Sequence, residues 1–160
     1  MVKKEYCVSS SVGLLIALMG LFVAGCGSGS GTLGEAPTEL NRNRALWRSR
    51  SIDSYAYTFR YGGFVPKSLA GPVRVEVRNG TVVSVTPTEP GAEIDRAFFA
   101  RFDTIDELFD VIRQEESGTP DRLDTTYDPA TGVPTQFYVD REFRMADEEY
   151  SFDVTGFTAL

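Results

Sequence analysis

Val73-Arg74-Val75-Glu76-Val77-Arg78-Asn79-Gly80-Thr81-Val82-Val83-Ser84-Val85-Thr86 reads as two strands folded back on each other, and that reading decides the fold. Valines at 73, 75 and 77 alternate with charged residues, the period of a strand with one buried face. Asn79-Gly80 supplies the positive backbone angles of a tight hairpin. The register is open between two arrangements. A two-residue turn pairs Val77 with Val82 but sends Val83 and Val85 to the other face. A three-residue loop with a glycine bulge sets Val83 and Val85 beside Val77 and Val75. Burial favours the second, because a one-residue slip carries a whole apolar set across the sheet.

Upstream, Tyr55, Tyr57, Phe59 and Tyr61 alternate in a further strand, broken by Gly62-Gly63 and followed by a loop from Pro66 to Pro72. Before it, a helix is expected from about Pro37 to Arg50, carrying Leu40, Leu46 and Trp47, with proline suited to the first turn. Downstream, Thr86 to Ala92 reads as loop. Ala97, Phe98, Phe99 and Phe102 then form an apolar cluster expected to cover a sheet edge or core end. Thr104 and Glu107 make a capping box, and Ile105, Leu108, Phe109 and Ile112 share one helical face until Gly118 and Pro120. Tyr127-Asp128-Pro129-Ala130-Thr131-Gly132 is a strand-turn-strand junction; Phe137 to Val139 and Tyr150, Phe152 and Val154 supply later strands, with Phe157 close behind. Short turns between consecutive strands favour antiparallel pairing. The class is therefore α+β: two layers, a mainly antiparallel sheet of five to six strands packed by one or two helices.

The first 25 residues have the order of an export signal: Lys3 and Lys4, an apolar core from Val12 to Ala24, then small residues before Cys26. Leu21-Phe22-Val23-Ala24-Gly25-Cys26 resembles a lipobox, which implies cleavage before Cys26 and acyl chains on its sulfur. The apolar core is 13 residues, short of the roughly 20 that a membrane span needs. Residues 26–36 then serve as lipid anchor and Gly/Ser tether, reaching on the order of 15 Å, and residues 37–160 as one folded domain. Expected localisation is the cell envelope: the outer membrane facing the periplasm in a Gram-negative host, to which Gly27 points, or the outer face of the cell membrane otherwise. Cleavage would leave 135 residues with net charge −8, no histidine and no thiol besides Cys26. That charge disfavours nucleic acid as a partner.

Without histidine or a free cysteine, Ser–His and Cys–His machinery is unavailable, and Lys67, the only lysine after Cys26, lies in a loop. Carboxylates remain: Asp106 and Asp110 on one helix face, and the run Asp147-Glu148-Glu149. Each is expected to be solvated surface, since catalytic carboxylates need environments that separate their pKa values. Asp121, Asp124 and Asp128 lack the spacing of a calcium loop, and the glycines of the tether lack the strand and helix of a phosphate loop, so no metal or cofactor is expected. Residues 41–78 carry a net charge of +6 and residues 103–153 a net −11. On separate faces these would make a dipole, but pairing inside the sheet is the expected outcome. The Tyr55–Tyr61 face is expected beneath the Ile105–Ile112 helix rather than as a ligand platform, with Tyr61 the exception beside the glycine break.

Leu46-Trp47-Arg48, Ser54-Tyr55-Ala56-Tyr57-Thr58, the Gly71–Val85 block, Thr104-Ile105-Asp106-Glu107-Leu108-Phe109, Tyr127-Asp128-Pro129 with Gly132 and Pro134-Thr135, and Ala146-Asp147-Glu148-Glu149-Tyr150 arrive in the order of a known family. Together they resemble the bacterial lipoproteins of domain of unknown function 6174 over about residues 43–154. The chain has Gly63-Phe64-Val65 where that family commonly has Cys-Phe-Cys, so no role of those cysteines carries over. The resemblance implies a shared fold and envelope location and no activity. The expected function is a non-enzymatic, membrane-anchored binding or interaction module, with an envelope protein as partner and Tyr61, Phe64, Asp147, Glu148 and Glu149 as candidate contact residues. The alternatives are a carboxylate-dependent envelope hydrolase and a purely structural lipoprotein.

Overall fold

The computed structural model describes residues 38–145 and 147–160. The export segment, Cys26, the tether and Pro37 lie outside them. The order is α1 (Glu39–Ser49), β1 (Tyr55–Gly63), α2 (Lys67–Ala70), β2 (Val73–Arg78), β3 (Thr81–Pro87), α3 (Arg96–Phe99), α4 (Ile105–Ser117), β4 (Arg122–Tyr127), β5 (Pro134–Asp140) and β6 (Tyr150–Ala159). All neighbouring strands are antiparallel, in the order β3-β2-β1-β6-β5-β4. This is an α+β fold with an open six-stranded sheet. The two short helices fall in stretches read from sequence as a loop and as an apolar cluster. Asp95 caps α3, its Oδ1 accepting from the amides of Ala97 and Phe98 at 3.0 and 3.2 Å.

The hairpin uses parts of both expected registers. Asn79 and Gly80 have φ of +48° and +70°, and the two-residue turn sets Val77 opposite Val82. A bulge at Val83 then restores the frame, so Val85 sits opposite Val75. The expectation that Val83 lies beside the buried valines is therefore corrected: it is 55% exposed. The turn chemistry fixes the near register, and the bulge rescues burial for Val85 alone.

One sheet face is covered. Tyr55, Tyr57 and Phe59 are buried there with Val73, Val75, Val77, Phe137, Val139, Phe152 and Val154, under Ile105, Leu108, Phe109 and Ile112 of α4. Phe59 stacks on Phe102 at 4.9 Å and Phe137 on Phe152 at 4.9 Å, geometry that adds about 0.5–1.5 kcal/mol per pair beyond burial. The β1 tyrosines also serve the chain entering α4: Tyr57 Oη donates to the Phe102 carbonyl at 2.6 Å, and Tyr55 Oη accepts from the Ile105 amide at 3.1 Å. Tyr55 and Tyr57 are thus core, as their alternation implies. A shift between β1 and β6 at Gly156 (φ +59°) returns Phe157 to the covered face, 5.9 Å from Trp47.

The basic and acidic segments meet where α1 lies on α4. Arg44 of α1 is buried and pairs with Asp110 at 2.7 Å and Asp106 at 3.5 Å, both on α4. Trp47 Nε1 also donates to Asp106 at 3.4 Å. Arg44 and Arg48 thus hold the basic α1 on the acidic α4, a contact between helices rather than the pairing expected inside the sheet.

Candidate functional site

The end of the central strand pair, where β1 finishes and β6 begins, gathers the contact residues expected from sequence. Gly63 is opposite Tyr150, so Tyr61 and Phe64 lie beside the loop that carries residues 147–149. Tyr61 is half-buried, stacked on Tyr150 at 5.3 Å and met edge-on by Phe98 at 5.1 Å. Its ring is packing, and burial raises its hydroxyl pKa. Phe64 is 86% exposed. Asp147, at φ +71°, and Glu149 are exposed, whereas Glu148 is half-buried, 4.0 Å from Arg141. The same loop exposes Phe143 (66%) and Met145 (50%). This end thus presents apolar side chains beside carboxylates.

Behind it lies a polar group that the sequence reading did not single out. Glu115, buried near the end of α4, receives two hydrogen bonds from Arg141 at 2.7 and 2.9 Å and one from Tyr150 Oη at 3.1 Å. The Arg141 hydrogen bonds hold its carboxyl below the ordinary value despite burial. The signal was available: Glu115 lies one turn beyond Ile112 and continues the buried stripe. A buried charge there requires a partner, and a bidentate arginine satisfies both oxygens. The pair fixes the loop bearing Phe143 and Met145 to the helix.

A second missed pair sits at the other end of α4. Asp103 is buried and bound to Arg96 at 2.7 Å, and Glu107 lies beside it. Burial, then Asp103, pushes the Glu107 carboxyl up to about 7. Its Oε2 is buried without a hydrogen-bond partner among the described residues, so a proton there would bridge to Asp103. The expected capping box is present, with Thr104 Oγ1 accepting from the Glu107 amide at 3.2 Å. Because the folded state holds this proton more tightly, its contribution to stability is complete below about 4.5 and is lost as pH rises towards about 7. Thermal midpoints should therefore fall by a few degrees between pH 5 and 7.5. Glu107→Gln, which keeps a neutral donor, should reduce that slope clearly, leaving the smaller part that Glu116, also raised by burial, contributes. An equal slope in both proteins would refute the shared proton.

The carboxylates singled out on α4 and around β4 have separate partners. Asp106 and Asp110 hold α1. Asp121 accepts from the Phe143 amide at 2.9 Å, and Asp124 pairs with Arg122 at 2.6 Å. Asp128 accepts from the Ala130 and Thr131 amides and the Thr131 hydroxyl, which holds its carboxyl below the ordinary value. Asp121 and Asp128 flank β4, at about 3.3 Å per residue too far apart to share an ion. Among the described residues no group of three or more acidic, histidine or cysteine side chains is placed to hold a metal. No described helix is long and apolar enough to cross a membrane.

A further concavity of about 550 Å³ lies between α2 and the loop after β3, lined by Lys67, Pro72, Pro87, Glu89, Glu93 and Ile94 among others. A family profile described as a family of unknown function, DUF6174, matches residues 39–159. No curated protein and no solved structure matches the chain.

Proposed function

The chain belongs to the family of unknown function DUF6174, and on that premise we propose a bacterial envelope lipoprotein, anchored through Cys26, whose domain works as a non-enzymatic interaction module. The observation that carries the contact role is Phe64, 86% exposed at the strand end beside the loop of Phe143 and Met145. Large aromatic side chains with acidic neighbours suit a protein partner, since binding energy concentrates in a few aromatic anchors. The Glu115–Arg141 pair supports this role by fixing one side of the surface before a partner arrives.

The expected result is a specific adduct from crosslinked envelopes that Phe64→Ser reduces about tenfold, the cost of a modest anchor. The variant should melt with the parent, because an exposed side chain carries little stability. Recovery of the same adduct from parent and variant, or of none across several growth conditions, would remove this surface from the proposal.

The hydrolase alternative draws on Asp103 and Glu107, two adjacent carboxylates of which one is raised. Arg96 already neutralises Asp103, and Glu107 belongs to the cap of α4, so helix termination accounts for both. A purely structural lipoprotein would have a smooth surface, and the concavity beside α2 does not fit that description.

A further inference from the structure

We propose that the concavity beside α2 binds a short peptide with free ends and apolar side chains, at a site separate from the Phe64 surface. Two segments form its walls. One is the β1–β2 connection, with Lys67 and Pro72; the other is the chain after β3, with Pro87, Glu89, Glu93 and Ile94. They are joined at both ends. The Thr88 amide donates to the Pro72 carbonyl at 3.0 Å, and the Asp95 amide donates to the Ser68 carbonyl at 3.1 Å. The space between is thus framed by backbone hydrogen bonds.

Its chemistry has three parts. Pro72, Pro87 and the half-buried Ile94 give an apolar part to the lining. Lys67 stands on one wall and Glu89 and Glu93 on the other, and none of the three has an ion-pair partner among the described residues. Opposite charges on facing walls, unpaired with each other, suit a ligand carrying both signs at its two ends. A carboxylate would meet Lys67, an ammonium would meet Glu89 and Glu93, and aliphatic side chains would lie against the prolines and Ile94. The volume, about 550 Å³, falls within the roughly 300–1,000 Å³ of small-molecule sites and is more than a single amino acid fills.

The test is calorimetric titration of the full chain in detergent with the tripeptide Ala-Val-Ala, against its N-acetylated and C-amidated forms. The free peptide should bind at millimolar or lower concentration, with each blocking group weakening it about tenfold. Lys67→Ala should weaken the free peptide similarly and leave the C-amidated form unaffected. The double change Glu89→Gln with Glu93→Gln should do the same for the free peptide and spare the N-acetylated form. These side chains are exposed, so the variants should melt with the parent. Absence of binding at millimolar peptide, equal binding of blocked and free forms, or indifference to both variants would overturn the proposal.

Discussion

Gly132→Ala should lower the stability of the domain by about 2–5 kcal/mol, from two separable causes. Gly132 adopts φ +79° in the β4–β5 turn, where its amide donates to the Asp128 carbonyl at 2.7 Å. A side chain in that backbone region costs an L-residue about 1–2 kcal/mol. The second cause is space. An added methyl would overlap the Asn43 carbonyl oxygen and lie 3.1 Å from the Trp47 amide nitrogen, both in the backbone of α1. No rotamer change relieves a clash with helix backbone. α1 must move, drawing Trp47 from Tyr55, whose ring centroid is 5.3 Å away, and overpacking of this kind costs about 1–3 kcal/mol. Gly80→Ala is the control: it has φ +70° with open space around it, so only the angular cost applies. Thermal melts should show Gly132→Ala on the order of 10 °C below the parent and well below Gly80→Ala. Equal midpoints for the two variants would contradict the close approach of turn and helix.

Cys26→Ala should abolish lipid labelling and leave an uncleaved precursor, the largest change expected for any single residue of the proposed envelope protein. The prediction follows from the resemblance of Val23-Ala24-Gly25-Cys26 to a lipobox, in which the proposed anchor makes the sulfur both the recognition feature and the acceptor of the acyl chains. One acyl chain gives only marginal, reversible membrane binding, so a stable anchor of this kind requires more than one on the modified residue. Metabolic labelling with a fatty acid, read beside the apparent mass of the chain, separates the outcomes. Processing and labelling unchanged in the variant would refute the anchor.

How much of this was legible in the sequence depends on whether a residue's environment comes from its own segment or from a distant one. The β1 alternation, the Thr104 cap and the Ile105–Ile112 stripe are local patterns, and the fold reproduces each. α2 and α3 are single turns of four residues, too short for periodicity to mark them. The hairpin mixed its registers because turn chemistry acts at Asn79-Gly80 while burial acts at Val85. The pairing of β1 with β6 brings the candidate contact residues Tyr61, Phe64 and 147–149 to one end, a neighbourhood set by strand pairing across some 90 residues, and Tyr61 is spent there on Tyr150 and Phe98. The helical stripe marks Glu115 as buried, but its partner Arg141 lies more than 20 residues away, as Glu89 and Glu93 do from Lys67 in the one concavity, and no local pattern encodes such a placing.

The strand order β3-β2-β1-β6-β5-β4 makes the first strand and the last one neighbours at the middle of the sheet. During synthesis β1, β2 and β3 can pair as they emerge, and so can β4 with β5, but β1 keeps one unpaired edge until Tyr150–Ala159 is available. Each partial sheet therefore exposes a long, apolar-faced edge of the kind that invites pairing with another chain. Completion depends on closing the sequence distance from residue 55 to residue 159, a non-local step that folds slowly relative to helix formation. Residues 150–159 must be available before this sheet can become one piece, so any shorter stretch of the domain carries an unpaired central edge.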